Sequence, residues 1–188
     1  MPPALAALRR RALPSATTVV VIGGGIVGIT TALNLAAWGI AVVLLEKGRL
    51  AAEQSSRNWG WVRIQGRSRA EVPLMLASRE QWAQWLPELD SDIGFRRCGS
   101  TYASASEAEF AQRAAFLTTA ADFDLDTRVL GRREVSALLG DAGGAMVGAI
   151  HTASDCCAEP ALAAPALARL AAQRGARIVE QCAVRAFD

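Results

Sequence analysis

Residues 18–47 read TVVVIGGGIVGITTALNLAAWGIAVVLLEK, and no other stretch narrows the fold as far. Val19 to Ile22 is a short β-branched run, the signal of a buried strand. Gly23, Gly25 and Gly28 follow in G-x-G-x-x-G spacing. A helical stretch comes next, Ile26 to Trp38, with Val27, Ala32, Leu35 and Ala36 expected to face a sheet and Gly39 placed to stop the helix. Ile40 to Leu45 is a second strand, ending at the acid Glu46.

Each of these residues has a mechanical task in a dinucleotide site. Gly23 permits the tight turn from strand to helix. Gly25 lets the backbone approach a pyrophosphate, and Gly28 allows helix and strand to pack closely. The helix start, with Ile26 and Val27, offers unpaired N–H groups and the positive dipole end to phosphates. Glu46, with Lys47 beside it, stands where a carboxylate can accept hydrogen bonds from the adenosine ribose. An acid there disfavours the 2′-phosphate of NADP.

ADP is common to FAD and NAD, so the fingerprint alone does not separate them. A nicotinamide dehydrogenase would repeat helix and strand promptly. Here residues 48–68 follow instead, polar and without a clear period. Their core is SSRNWGWVRIQGR at 55–67. A loop of this length is functional or disordered, and two tryptophans argue against disorder.

Charge and composition exclude other classes. Formal net charge is +2, so nucleic acid would meet no basic footprint. No uninterrupted apolar run approaches the roughly 20 residues of a membrane span. The four cysteines, Cys98, Cys156, Cys157 and Cys182, form no C-x-x-C pair, and His151 is the only histidine. A zinc site is not expected, and the compartment reads as reducing and cytoplasmic, free or peripheral to the inner membrane. At the start, MPPALAALRRRALPSA places apolar residues before Arg9–Arg11, the reverse of a secretory signal. An organellar leader and a short extension over 1–17 are both compatible with it, and the extension is preferred.

Further along, EVPLMLASREQWAQWL (71–86) has apolar residues at helical spacing, with Trp82 and Trp85 read as packing rather than as a cofactor box. FRRCGSTYA (95–103) reads as one strand. Ser106 and Glu109 form a capping box for a helix to about Ala121. A strand at Arg128–Leu130 and a helix at Arg132–Leu139 follow. Arg96–Arg97 and Arg132–Arg133 read as solvated pairs, His151 as structural, and Cys156–Cys157 as part of an ordinary turn near Asp155.

The segments GGGIVGITTALNLAAWGIAVVLLEKG, SSRNWGWVRIQGR and GAIHTASDCCAEPALAAPALARLAAQRGARIVEQCAVRAFD together resemble the D-amino-acid oxidase family of FAD-dependent oxidoreductases, from Val19 to Asp188. That resemblance implies an α/β fold: a Rossmann-like FAD-binding domain over 18–88 and 151–188, with the beginning of an antiparallel-sheet substrate domain over 89–150. It implies that Ser55, Ser56, Arg57, Asn58, Trp59, Gly60 and Trp61 wrap the flavin pyrophosphate and ring. Glu159–Pro160 would open a helix leading to a strand whose Val184 contacts the adenine side. Family members are usually longer, so the chain reads as an N-terminal portion, incomplete in both domains.

The implied chemistry is oxidation of a D-amino acid or related amine by hydride transfer to flavin N5, with oxygen, quinone or a partner subunit as electron acceptor. Catalytic residues are not assignable. The alternatives are a truncated, non-catalytic FAD-binding subunit, a flavin-dependent 2-hydroxy-acid or polyol-phosphate dehydrogenase, and an NAD-dependent dehydrogenase. Arg63, Gln65 and Arg67 stay unassigned, facing substrate or bracing the loop.

Overall fold

The computed structural model describes residues 12–186, so the Arg9–Arg11 cluster and Asp188 lie outside it. The chain forms two compact units. Among the described residues, the first comprises 12–60, 84–94 and 158–186; the second comprises 61–83 and 95–157. These limits differ from the expected 18–88, 89–150 and 151–188: the SSRNWGWVRIQGR loop is divided after Gly60.

The first unit is built on a parallel sheet of β1 (Val19–Ile22), β2 (Val42–Leu45) and β9 (Arg177–Val179), in the order β1-β2-β9. Val19 pairs with Val42, and Val43 with Arg177. Helix α1 (Ile26–Ala37) connects β1 to β2, and α6 (Pro160–Gln173) precedes β9. The two helices pack on each other. Alanine suits this: Ala163, Ala164, Ala166, Ala168 and Ala171 of α6 are buried, as is Ala32 of α1, and small side chains let helices approach closely. Pro160 sits in the first turn of α6, where a missing N–H leaves no bond unmade. Gly39, at φ +74°, ends α1 in the left-handed region. Central β2 is buried along most of its length, whereas edge strand β1 leaves Val20 and Ile22 about half exposed.

The second unit holds two antiparallel sheets. One has the order β5-β7-β6, from Ser100–Ser104, Gly148–Thr152 and Thr127–Gly131. Helix α5 (Arg132–Leu139) packs Val135 against Leu130 and Ala149, both on one face of this sheet. Helix α3 (Glu107–Ala114) brings Phe110 toward Gly148 on the opposite face. The smaller sheet, β3-β8-β4, joins Trp61–Val62, Cys156–Cys157 and Arg96–Arg97. Helix α2 (Val72–Trp85) belongs to this unit through Ala83, with the Trp82 ring tilted against Phe95 at a centroid distance of 5.6 Å.

Several expectations need correction. Val27 does not face the sheet: it is 76% exposed, and Ile29, Ala32 and Leu33 are the buried residues of α1. The Phe95–Ala103 strand is two strands in different sheets, parted at Gly99, whose φ is +70°. Ser106 caps α3, accepting from Glu109 N at 3.2 Å, but Glu109 reaches back to Ala105 N, and the helix breaks at Ala115 before α4 (Phe116–Asp122). Cys156–Cys157 is the middle strand of a sheet and not an ordinary turn. The last strand stops at Val179, so Val184 lies beyond it in irregular chain.

Candidate cofactor site

The turn after β1 is shaped by what its residues lack. Gly23 has φ +106°, where a side chain would be strained. A Cβ on Gly28 would overlap the Gly23 carbonyl oxygen, so α1 can approach the turn only with glycine there. Gly25 is the N-cap of α1, and its own carbonyl accepts from Ile29 N at 2.9 Å. The first turn of α1 carries no acidic residue, so its positive dipole end is not neutralised from within.

Two side chains from downstream close on this turn. Ser55, in a 3-10 turn at Gln54–Ser56, accepts from the Ile26 amide at 2.8 Å. Its own hydroxyl proton stays available for an oxygen acceptor. Glu46 is buried at the end of β2; one carboxylate oxygen accepts from Gly24 N and the other from Gly48 N, both at 2.7 Å. A carboxylate has about four acceptor positions, so these two bonds leave room for hydroxyl donors. Ala51 N donates to Gly24 O at 2.8 Å, and Leu50 N to Glu180 at 2.7 Å. Sequence reasoning missed Glu180, whose distance along the chain hides the contact. Gln181 N and Cys182 N then donate to Gly48 O and Glu46 O, which carries the chain toward Val184 alongside the end of β2.

The remaining loop residues of this unit are mostly open to water. Ser56 donates to Glu53 O at 3.1 Å, Arg57 pairs with Glu53 at 3.7 Å, and Lys47 and Trp59 are exposed. Asn58 shapes the loop: its amide donates to Ser55 O, and its oxygen accepts from Gly60 N at 2.8 Å. Gly60 has φ +71°, and a Cβ there would overlap the Ala158 carbonyl.

In the second unit Trp61 pairs with Cys157, and Arg63 lies over the Trp61 ring at 4.9 Å and near Tyr102 at 5.6 Å. Gln65 is fully buried and acts as a brace. Its oxygen accepts from Thr152 at 2.7 Å, and its amide donates to Ile150 O at 3.4 Å. Since Thr152 gives its proton to Gln65, Thr127 must donate to Thr152 at 2.7 Å. Asp155, also buried, accepts from the amides of Ile64 at 2.7 Å and Gln65 at 3.2 Å. His151 stands within the sheet with Nδ1 2.9 Å from Thr101 Oγ1. Arg67 lines a cavity of about 490 Å³ with Tyr102, Glu109, Arg113 and Phe116; Glu71 and Glu109 match the two arginines. Among the described residues, no group of three or more His, Cys, Asp or Glu is placed to hold a metal. No described helix is long and apolar enough to cross a membrane.

A sequence profile for DAO, the FAD dependent oxidoreductases, matches residues 18–188. The chain belongs to this family. FAD is its cofactor, and the NAD-dependent alternative is set aside. The α/β fold with a parallel three-stranded sheet is that of the DAO FAD-binding domain. Mouse (Mus musculus) sarcosine dehydrogenase, mitochondrial, is 28% identical over 179 residues, which is 92% of this chain and 19% of that protein. L-Amino acid deaminase from Proteus myxofaciens, solved with anthranilate, shares 34% identity at TM-score 0.88, over 96% of this chain and 41% of that one. L-Proline dehydrogenase from P. horikoshii shares 28% at TM-score 0.86, over 93% and 46%. The DAO chain described here thus spans about a fifth of the curated relative and under half of each solved one.

Proposed function

We propose that this DAO chain holds FAD at the Gly23–Gly28 turn and contributes to oxidation of an amino acid or related amine. One observation carries the reading: a turn free of side chains meets the Ser55 hydroxyl and the Glu46 carboxylate at one helix start. The donor set suits the cofactor. Gly25, Ile26, Val27 and Gly28 present backbone to the pyrophosphate, with Ser55 donating its remaining proton. Glu46 takes the ribose hydroxyls, with Lys47 and Val184 flanking. Ser56, Arg57, Asn58, Trp59, Gly60 and Trp61 continue toward the flavin. For Ser56 and Arg57 this means exchanging their bonds to Glu53 for phosphate.

Held at this turn, FAD would supply the hydride acceptor for oxidation of the carbon bearing the amine. The protein's share is orientation and exclusion of water. Asp155 and Gln65 hold the backbone that follows Arg63, whose guanidinium lies over the Trp61 ring at 4.9 Å.

The names of the relatives support an amino-acid substrate and do not single out the D series. Two of the solved relatives act, by name, on L-amino acids. A second reading, a non-catalytic FAD-binding member, is supported by the mouse pyruvate dehydrogenase phosphatase regulatory subunit, 27% identical over 92% of this chain. A cytoplasmic location remains part of the proposal, set against relatives named as mitochondrial.

The test is a visible spectrum of the purified chain, with FAD quantified after denaturation. A yellow protein that loses its colour in Ser56→Trp supports the loop assignment; unchanged FAD content in that variant refutes it. Dye reduction with L- and D-amino acids, glycine and sarcosine separates an enzyme from a binding subunit. A 2-hydroxy acid or polyol phosphate as sole reductant would overturn the amine reading.

A further inference from the structure

Two thiols come together in the second unit, and the proposed function uses neither. β4 runs antiparallel to β8, with Arg96 opposite Cys157 and Arg97 opposite Cys156. Gly99 N donates to Asp155 O at 2.9 Å, so the two chains stay together past Arg97. Side chains alternate faces along a strand, and opposite partners share a face. Cys98 therefore shares the face of Arg96 and hence of Cys157. Cys156 points the other way. Cys98 and Cys157 are thus diagonal neighbours on one face, close enough for the Cys157 thiol to act on that of Cys98. Cys98 is exposed and Cys157 half-buried, whereas Cys156 is buried with its thiol donating to Ser154 O at 3.3 Å.

We propose that Cys98 and Cys157 are a redox couple that closes reversibly to a disulfide between β4 and β8 when it meets a small disulfide such as oxidised glutathione. Cys98, the more exposed, loses its proton and attacks one sulfur of the oxidant. That S–S bond breaks, and one glutathione leaves as thiolate and takes up a proton. Cys157 then attacks Cys98 Sγ in the mixed disulfide and expels the second glutathione, which is protonated in turn. Two S–H bonds are replaced by one S–S bond, and two electrons pass to the oxidant. Desolvation, followed by the hydrogen bond and charge of Cys157, raises the Cys98 thiol above its usual range. The bond would tie the middle strand of the small sheet to one edge, directly opposite Trp61 on the other.

The whole chain is incubated with oxidised glutathione, alkylated and read by intact mass and peptide mapping. The expected result is loss of two thiols with no retained glutathione, a linked Cys98–Cys157 peptide, and full recovery with dithiothreitol. Cys156→Ser should behave as the parent, and Cys157→Ser should stop at a glutathione adduct on Cys98. Retained glutathione on Cys98 of the parent overturns the proposal. So does a link through Cys156, or a chain whose four thiols all remain.

Discussion

Glu46 and Asp155 are both buried carboxylates, one in each unit, and each holds a loop by accepting two backbone amides. Their surroundings separate them. Glu46 ends a parallel strand beside a helix start that carries no acid of its own, and its bonds span the glycine turn and its own strand end. Asp155 sits between β7 and β8, strands of the two antiparallel sheets, and both its amides come from adjacent residues of one loop. The same device thus serves the glycine turn proposed to hold FAD in one unit and an interior brace in the other. Burial of an acid does not by itself mark a site; what decides is whether acceptor capacity remains where a ligand can reach it.

Substitutions can break this contrast. The largest effect is expected from Gly28→Ala, whose Cβ would meet the Gly23 carbonyl; urea unfolding should show a loss of about 3–5 kcal/mol, together with FAD. Asp155→Asn leaves one buried amide facing another N–H. It should cost about 2–3 kcal/mol, and hydrogen exchange should lose protection at Ile64 and Gln65 while Gly24 keeps its own. Glu46→Gln should cost about 1–3 kcal/mol and also weaken FAD binding by about tenfold, equivalent to 1.4 kcal/mol. If Asp155→Asn weakens FAD as much at equal stability, the contrast fails.

Smaller effects sharpen the picture. Ser55→Ala removes the acceptor of Ile26 N and should cost about 1 kcal/mol in a thermal melt, with added loss of FAD. The weakest is Asp90→Asn. The forked hydrogen bonds of Arg169 hold the Asp90 carboxyl below its usual range. A depressed folded pKa means this pair stabilises above the unfolded value of about 3.9 and ceases to do so as the pH falls through the folded value. The exposed geometry limits the gain to under about 1 kcal/mol, so parent and variant should converge in stability below that window.

The glycine turn, both of its strands and the role of Gly39 were legible because local rules act there: spacing, β-branching and left-handed φ. The face of α1 was not, since Val27 and Ile29 differ only in which neighbour they meet. Gln65 stayed unassigned between facing substrate and bracing the loop, and Asp155 read only as part of a turn, because their partners, Thr152 and Ile64, are 87 and 91 residues away. The break at Gly99 was invisible because a turn inside FRRCGSTYA costs a single glycine, and Gly99 was read as part of the strand. The bond from Ile26 N to Ser55 was not legible, as nothing local ties the two residues together.

The half-exposed Val20 and Ile22 of edge strand β1 have a practical consequence. Among the described residues no strand pairs with the outer side of β1, and such an edge with apolar side chains is a template for another strand. The attraction between such stripes strengthens on warming over the range where apolar contact is entropy-driven. Purified chain should therefore keep best when cold and dilute, and light scattering should rise with concentration before any loss of secondary structure.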